Sequence, residues 1–185
     1  MTADTVLRRR LAKDLDRAFP EMVTQMQGLV FNGARRWLPN RSDAEDIAQE
    51  VFVRAYRALS GYSPERIAEL RIRPWLFTIT INLCRNHART RSRRPVEVVL
   101  DGHHSSGTTF ATEQHAIDAL VVDEWRVRLQ ALAPRQRDAI VLRHVVGLTY
   151  KEVGEVLGCP TGTVKSDVHR GLTQLRSILA MEDSP

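Results

Sequence analysis

Leu148–Leu175 reads LTYKEVGEVLGCPTGTVKSDVHRGLTQL. Thr149 followed by Glu152 is a capping box, the pairing that satisfies two orphan amides at a helix start. Val153, Val156 and Leu157 continue it at helical spacing up to Gly158, a residue suited to stopping a helix. Gly158-Cys159-Pro160-Thr161 is a tight turn. Thr161 then caps a second helix that begins at Gly162 and points Val164, Val168, Leu172, Leu175 and Leu179 inward. A short helix, a tight turn and a longer helix have the spacing of a helix-turn-helix, whose second helix enters the DNA major groove by its N-terminal residues. Thr163, Lys165, Ser166, His169 and Arg170 are left on the outer side. A hydroxyl near a helix N-terminus suits phosphate, and Lys and Arg suit guanine O6 and N7. A solvated helical hairpin with ordinary surface charge has the same periodicity, so the residues alone keep both readings open.

Upstream, Pro134 restarts a helix through Ala139, Ile140, Leu142 and Val145, which Gly147 ends. An earlier helix opens near Glu113 with Ile117, Leu120, Val121, Trp125, Leu129 and Leu132 as its apolar side. Residues 89–94 are nearly all basic, and Pro95 to about Thr112 has the irregular composition of a linker. Within it Val96, Val98 and Val99 have strand character but no partner strand. No internal repeat is present. The expected fold is all-α: two small helical domains, 1–94 and 113–185, joined by a flexible linker at 95–112.

The first half is also helical in period. Pro20 suits the start of a helix whose apolar residues run from Met22 through Val30 to Trp37 and Leu38, and Pro39-Asn40 breaks it. Ser42 with Glu45 predicts a capping box for a helix with Ala48, Val51, Phe52, Ala55 and Leu59 inward, stopped by Gly61. Opposite lie Asp43, Asp46, Ile47, Glu50 and Arg54, an acidic stripe around an exposed Ile that would suit a basic helical partner. Ser63-Pro64 predicts a short segment, and Pro74 a helix that buries Trp75, Leu76, Ile79 and Leu83. Thr78, Asn82, Arg85 and Arg89 align along another side of it, a plausible track for a phosphate backbone.

Composition narrows the classes. The chain has 185 residues, 43% hydrophobic and 26% charged, with 27 Lys and Arg against 22 Asp and Glu, a net charge of +5. That is a folded chain with a moderate basic excess compatible with nucleic acid. No apolar run reaches the roughly 18 residues of a membrane span, and Met1–Arg10 lacks the apolar core of a secretory signal. Cys84 and Cys159 form no disulfide framework, which fits a reducing cytoplasm. Cys84, Cys159, His103 and His104 lack zinc-site spacing, and no phosphate-cradle or nucleophile motif occurs, so no metal, cofactor or enzymatic activity is expected.

LAPRQRDAIVLRHVVGLTYKEVGEVLGCPTGTVKSDVHRGLTQL, Leu132 to Leu175, resembles the −35-binding domain of extracytoplasmic-function sigma factors of bacterial RNA polymerase. The resemblance implies that Lys165, Ser166, His169 and Arg170 touch −35 bases, with Thr163 on phosphate. Asp167 stands where the family usually has Arg, so it either pairs with a neighbouring Arg or faces phosphate and weakens binding. Gly154 replaces the commoner Ala and keeps a close helix crossing. In the first half, DxAQExF at Asp46–Phe52 is similar to the segment that docks on the polymerase clamp helices, which implies that Asp46, Gln49 and Glu50 carry that contact. RPWLFTITINLCRNHARTRSRR is similar to the −10 region, and the resemblance implies roles for Asn82, Arg85, Asn86 and Arg89, with the loop Gly61–Arg73 completing a base pocket. Ile67-Ala68-Glu69-Leu70 departs from the usual form of that loop. The implied function is promoter recognition and −10 opening with core polymerase (clamp helices and flap) and promoter DNA as partners, in the cytoplasm and without a membrane. Members of the family are often held by an anti-sigma partner. The alternative is a stand-alone helix-turn-helix regulator that binds duplex without polymerase.

Overall fold

The computed structural model describes residues 3–93 and 124–182, and among these every regular element is helical. The expected linker at 95–112, the valine strand, the His103-His104 pair and the helix start near Glu113 lie outside the described residues.

The first lobe contains five helices: α1 (Ala3–Lys13), α2 (Leu15–Trp37), α3 (Arg41–Ser60), α4 (Pro64–Glu69) and α5 (Ile72–Arg93). Helix α1 was not anticipated. It holds only two strongly buried apolar side chains, Leu7 and Leu11, each 1% exposed, and it packs on α2 and α4. Burying each contributes roughly 1.5–3 kcal/mol, enough to seat a helix whose flank is Arg8-Arg9-Arg10. Asp14 breaks α1 from α2 in extended backbone, and its carboxylate caps α2 by accepting from the Arg17 N–H at 3.1 Å. Pro20 therefore lies inside α2 rather than at its start. The Asp14 cap sets the beginning, and Pro20 costs one backbone bond near the N-terminal end.

Helix α3 starts at Arg41, with Asn40 in the cap position and no side-chain capping bond, so the expected Ser42–Glu45 box does not form. Glu45 is drawn instead to Arg41, at 2.8 Å. The buried side of α3 is Ala44, Ile47, Val51, Ala55 and Leu59, with Ala48 and Phe52 half-buried. The exposed Ile expected at position 47 is thus in the core. Helices α2 and α5 both pack on α3, which widens its buried arc beyond one stripe. Ser63 caps α4 by accepting from the Arg66 N–H. Helix α5 begins two residues before Pro74 and buries Leu76, Phe77, Thr80, Ile81, Leu83 and Cys84, while Trp75 and Ile79 are half-buried.

The second lobe is described from α6 (residues 124–130) onward, followed by α7 (Pro134–Ile140), a π-turn (Val141–Val145), α8 (Tyr150–Leu157) and α9 (Thr161–Glu182). Trp125, expected inward, is 36% exposed and lies against the Arg128 guanidinium, whereas Leu129 and Leu132 are buried as expected. The wider π-turn carries the chain out of α7, with the Val146 N–H reaching back to the Val141 carbonyl at 3.0 Å, and keeps Val141 and Leu142 fully buried.

Helix α8 has the bounds read from the sequence. Its capping box is complete: the Thr149 hydroxyl accepts from the Glu152 N–H at 3.3 Å, and Glu152 accepts from the Thr149 N–H at 2.7 Å. Gly158 closes α8 at φ +65, a left-handed conformation that β-carbons resist. A β-carbon on Gly154 would lie 2.7 Å from the Cys159 carbonyl oxygen, so the turn folds tightly over a bare backbone. Helix α9 begins at Thr161, one residue earlier than expected, with the Pro160 carbonyl accepting from the Thr163 and Val164 N–H groups. Val164, Val168 and Leu175 are buried and Leu172 is packed on the core.

Gly158→Ala should destabilise the protein by roughly 1–2 kcal/mol, and Gly158→Asn by less, because Asn tolerates the left-handed conformation. Thermal denaturation followed by circular dichroism checks this order; equal melting points for all three proteins would contradict it.

Candidate nucleic-acid interface

The N-terminal half of α9 presents the expected recognition side chains together. Lys165, Ser166, His169 and Arg170 are exposed and Thr163 is half-buried. The Ser166 hydroxyl donates back to the Gly162 carbonyl at 3.1 Å, which leaves its lone pairs outward as acceptors. Lys165 Nζ lies 6.0 Å from the centre of the Tyr150 ring, whose other neighbour is Arg143 at 5.1 Å. Tyr150 is the first residue of α8, so the first helix of the pair steadies a basic side chain of the second.

Asp167 does not face outward. It is 5% exposed. Its Oδ1 accepts from Arg170 Nη2 at 2.9 Å, and its Oδ2 lies 3.5 Å from Arg135 Nε. Of the two possibilities left by the sequence, pairing with neighbouring arginines is the one adopted. A carboxylate in that position meets no phosphate.

On α5, Asn82, Asn86 and Arg89 are exposed and Arg85 is half-buried. Arg85 Nη2 donates to Asp138 Oδ2 at 2.8 Å, and the Trp37 indole N–H donates to Asp138 Oδ1 at 2.9 Å. Asp138 belongs to α7, so one buried carboxylate joins α2 and α5 of the first lobe to the second. A buried carboxylate is tolerated only when paired and hydrogen-bonded, and here both oxygens are. Burial pushes the thiol of neighbouring Cys84 up to about 12, with the Asp138 charge adding to the effect. Cys84 is therefore a protonated packing group.

A second link lies at the other end of the lobe contact. Arg71, just before α5, donates to Glu155 at 2.9 Å and to Glu152. Burial opposes ionisation of Glu152, but the Thr149 bonds and Arg71 outweigh it and hold the carboxyl below its usual range. An open cleft of about 360 Å³ lies beside this link, lined by Arg66, Leu70, Trp75 and Thr78 of the first lobe and by Glu155 and Val156 of the second. Arg66 stacks on Tyr62, 3.6 Å from the ring centre, and Tyr62 meets Trp75 edge-on. The Gly61–Arg73 segment and Trp75 do come together there, but Asn82 and Asn86 do not line the cleft.

The acidic stripe of α3 is narrower than expected. Asp46 and Gln49 are exposed, and Glu50 pairs with Arg54 at 2.6 Å. Asp43 is turned to α5, where Arg91 donates to it at 3.0 Å and His87 lies 3.6 Å away. Sequence reading missed Asp138, Trp37, Arg71 and the inward side of Asp167. A signal existed for two of them. Asp138 precedes Val141 and Leu142 by three and four, and Asp167 follows Val164 by three, so both acids fall on apolar registers.

Residues 22–94 match the family model Sigma-70 region 2, and residues 123–175 match Sigma-70, region 4. The RNA polymerase sigma-E factor of Streptomyces avermitilis is 36% identical over 168 residues, covering 89% of this chain and 87% of that protein. The chain belongs to the extracytoplasmic-function sigma factors. The ECF RNA polymerase sigma factor SigE of Mycolicibacterium smegmatis is 34% identical across 90% of this chain, which spans 63% of that longer relative. The ECF RNA polymerase sigma-E factor of Escherichia coli K12 is 30% identical, with 90% and 89% of the two chains covered. Among solved structures, CnrH in complex with the cytosolic domain of CnrY superposes with a TM-score of 0.74 at 26% identity, over 99% of this chain and 100% of that one. RpoE of Bartonella quintana, solved with the anti-sigma factor NepR, shares the fold at a TM-score of 0.66 and 22% identity, over 88% and 96% of the chains. ECF sigma factors are transcription initiation factors rather than enzymes. Among the described residues, no helix is long and apolar enough to cross a membrane, and no group of three or more His, Cys, Asp or Glu could hold a metal ion.

Asp138→Ala strands the Trp37 N–H and releases Arg85 to water, at a cost of roughly 1–3 kcal/mol. Limited proteolysis should cut between the lobes faster in the variant, with Trp37 emission shifted to the red; unchanged cleavage would show that Asp138 does not hold the lobes. Because the Thr149 bonds and Arg71 hold the folded-state Glu152 carboxyl below its ordinary range, its contribution is present above that range and fades as pH falls through the depressed folded value. Glu152→Gln should flatten the acid limb of the stability profile measured by urea denaturation.

Proposed function

We propose that this sigma factor directs core RNA polymerase to promoters by dividing the task between its lobes. The exposed Asp46 and Gln49 and the half-buried Glu50 on α3 dock on the clamp helices of the largest subunit, and the second lobe sits on the flap. Lys165, Ser166, His169 and Arg170 read −35 bases in the duplex, with Thr163 on a neighbouring phosphate. Helix α5 then engages −10: Arg85 and Arg89 follow the backbone, and Asn82 and Asn86 meet a base drawn out of the stack. Extruding that base costs a few kcal/mol of stacking.

One observation carries this reading. A single chain presents a helix-turn-helix whose second helix exposes Lys165, Ser166, His169 and Arg170 and, separately, a lobe that matches region 2 of the same family. A stand-alone helix-turn-helix regulator leaves that first lobe without a role.

The lobe contact has a place in the mechanism. Arg85 gives Nη2 to Asp138, so bringing that nitrogen to a phosphate exchanges one anionic partner for another. A charge-assisted bond is lost and a similar one gained, while separation of the lobes lets Asp138 and Trp37 find water. The cytoplasm, where core polymerase and promoters meet, is the proposed compartment. An anti-sigma partner belongs to the proposal as well; its support is the company of relatives, RpoE of Bartonella quintana having been solved with one.

Arg170→Ala in reconstituted holoenzyme should cost about 1–3 kcal/mol of discrimination at one −35 position, read by transcription from a promoter library; a uniform loss at every position would contradict base reading. Replacing Asp46 and Glu50 together by Ala should abolish co-purification with core polymerase while leaving the circular dichroism spectrum intact. Undiminished co-purification would remove the docking step.

A further inference from the structure

The side chain of Asp167 stands on the inward register of a recognition helix, yet it is an acid. It is 5% exposed and shares its two oxygens between two arginines. Arg170 comes from the next turn of α9, and Arg135 from the start of α7. Both guanidinium-bearing side chains remain more than half exposed, at 63% and 62%. A carboxylate that served only to staple α7 to α9 would bury its partners; this one holds each by an edge and leaves the rest outward. Arg170 gives only its Nη2 to Asp167. A guanidinium carries five N–H donors in a planar fork, so its outer edge remains for a bidentate contact. Asp167 Oδ2 has no hydrogen bond of its own beyond the longer approach of Arg135.

We propose that Asp167 is a positioning residue for promoter recognition: it orients Arg170 so that the outer edge of the guanidinium reads a guanine in the −35 element. This inference rests on the proposed role of Arg170 and adds the base class and the residue that sets it. The physical reason is pre-organisation. An arginine left to itself samples many rotamers and satisfies any nearby phosphate, whereas one pinned at Nη2 presents its donors in a fixed plane suited to O6 and N7. The same carboxylate also adds a negative charge to a surface that meets DNA, which restrains indiscriminate phosphate binding. Affinity for arbitrary sequence is given up for discrimination.

The test compares wild-type, Asp167→Ala, Asp167→Asn, Arg170→Ala and the Asp167→Ala/Arg170→Ala double variant, each reconstituted with core polymerase. A −35 library scored by transcription gives base preference at every position, and titration of a mixed-sequence duplex at several salt concentrations gives non-specific affinity. Asp167→Ala and Arg170→Ala should each flatten the preference for guanine at the same single position by on the order of tenfold. The double variant should lose no more than Arg170→Ala alone. Asp167→Ala should also bind the mixed-sequence duplex more tightly, with a salt dependence steeper by about one phosphate contact; a lost staple would weaken that binding instead. Intact guanine preference in Asp167→Ala beside a flattened one in Arg170→Ala overturns the positioning role and leaves Arg170 as a reader. A uniform fall at all positions with a lowered melting point makes Asp167 a structural staple. If Arg170→Ala changes no position, the base-reading role itself fails, and this inference with it. Should Asp167→Ala not fold, Asp167→Asn, which keeps the shape and one acceptor, decides between the same outcomes.

Discussion

The arrangement of the two lobes depends on one buried carboxylate. Asp138 lies on the apolar side of α7, where an unpaired charge would be untenable, and it is satisfied only by groups from the other lobe: the indole N–H of Trp37 and the guanidinium of Arg85. The lobes therefore depend on each other locally. If they part, water must replace two charge-assisted or polar bonds; while they stay together, Nη2 of Arg85 is held by Asp138. Asp138 thus ties one donor of the first lobe's Arg85 to the packing of the second lobe. Arg71 repeats the pattern from the other side, since its acceptor Glu152 also completes the capping box of α8.

That double use of Glu152 connects local structure to function. The capping box fixes where α8 starts, and the left-handed Gly158 and bare Gly154 fix how tightly the turn folds. The direction of α9, and with it the direction of Lys165 and Arg170, follows from those three residues. Within α9 the control is finer. Apolar Val164, Val168 and Leu175 set the rotation of the helix, and Asp167 determines what a single guanidinium does on its surface.

The helix-turn-helix was legible almost to the residue because its signals are local: a cap, an apolar period, a glycine and a second period within one short stretch. The first lobe was legible in outline and less so in phase. Ile47 falls by its spacing opposite the apolar stripe of α3, but two helices pack on α3 and its buried arc takes in Ile47. Pro20 carried a helix-start signal that the stronger cap at Asp14 overrode. Helix α1 was missed because two leucines four apart among arginines are too few to establish a period, and one of the two helices that cover α1, α4, lies some fifty residues away. Within the candidate site, exposure of Lys165, Ser166, His169, Arg170, Asn82, Asn86, Asp46 and Gln49 matched the reading, while the pairing of Arg85 did not follow from any neighbour in sequence. Asp138 and Asp167 sat in view on apolar registers; an acid at such a position already implies a partner that the sequence does not name.

The division of labour between the lobes is tested most directly by permanganate and hydroxyl-radical footprinting of a promoter bound by holoenzyme assembled from this protein and core polymerase. The account predicts two separated zones: a protected −35 duplex, and a −10 segment whose thymines react with permanganate because the strands have opened. A single protected duplex with no reactive thymines, formed equally well by the protein without core enzyme, would contradict it.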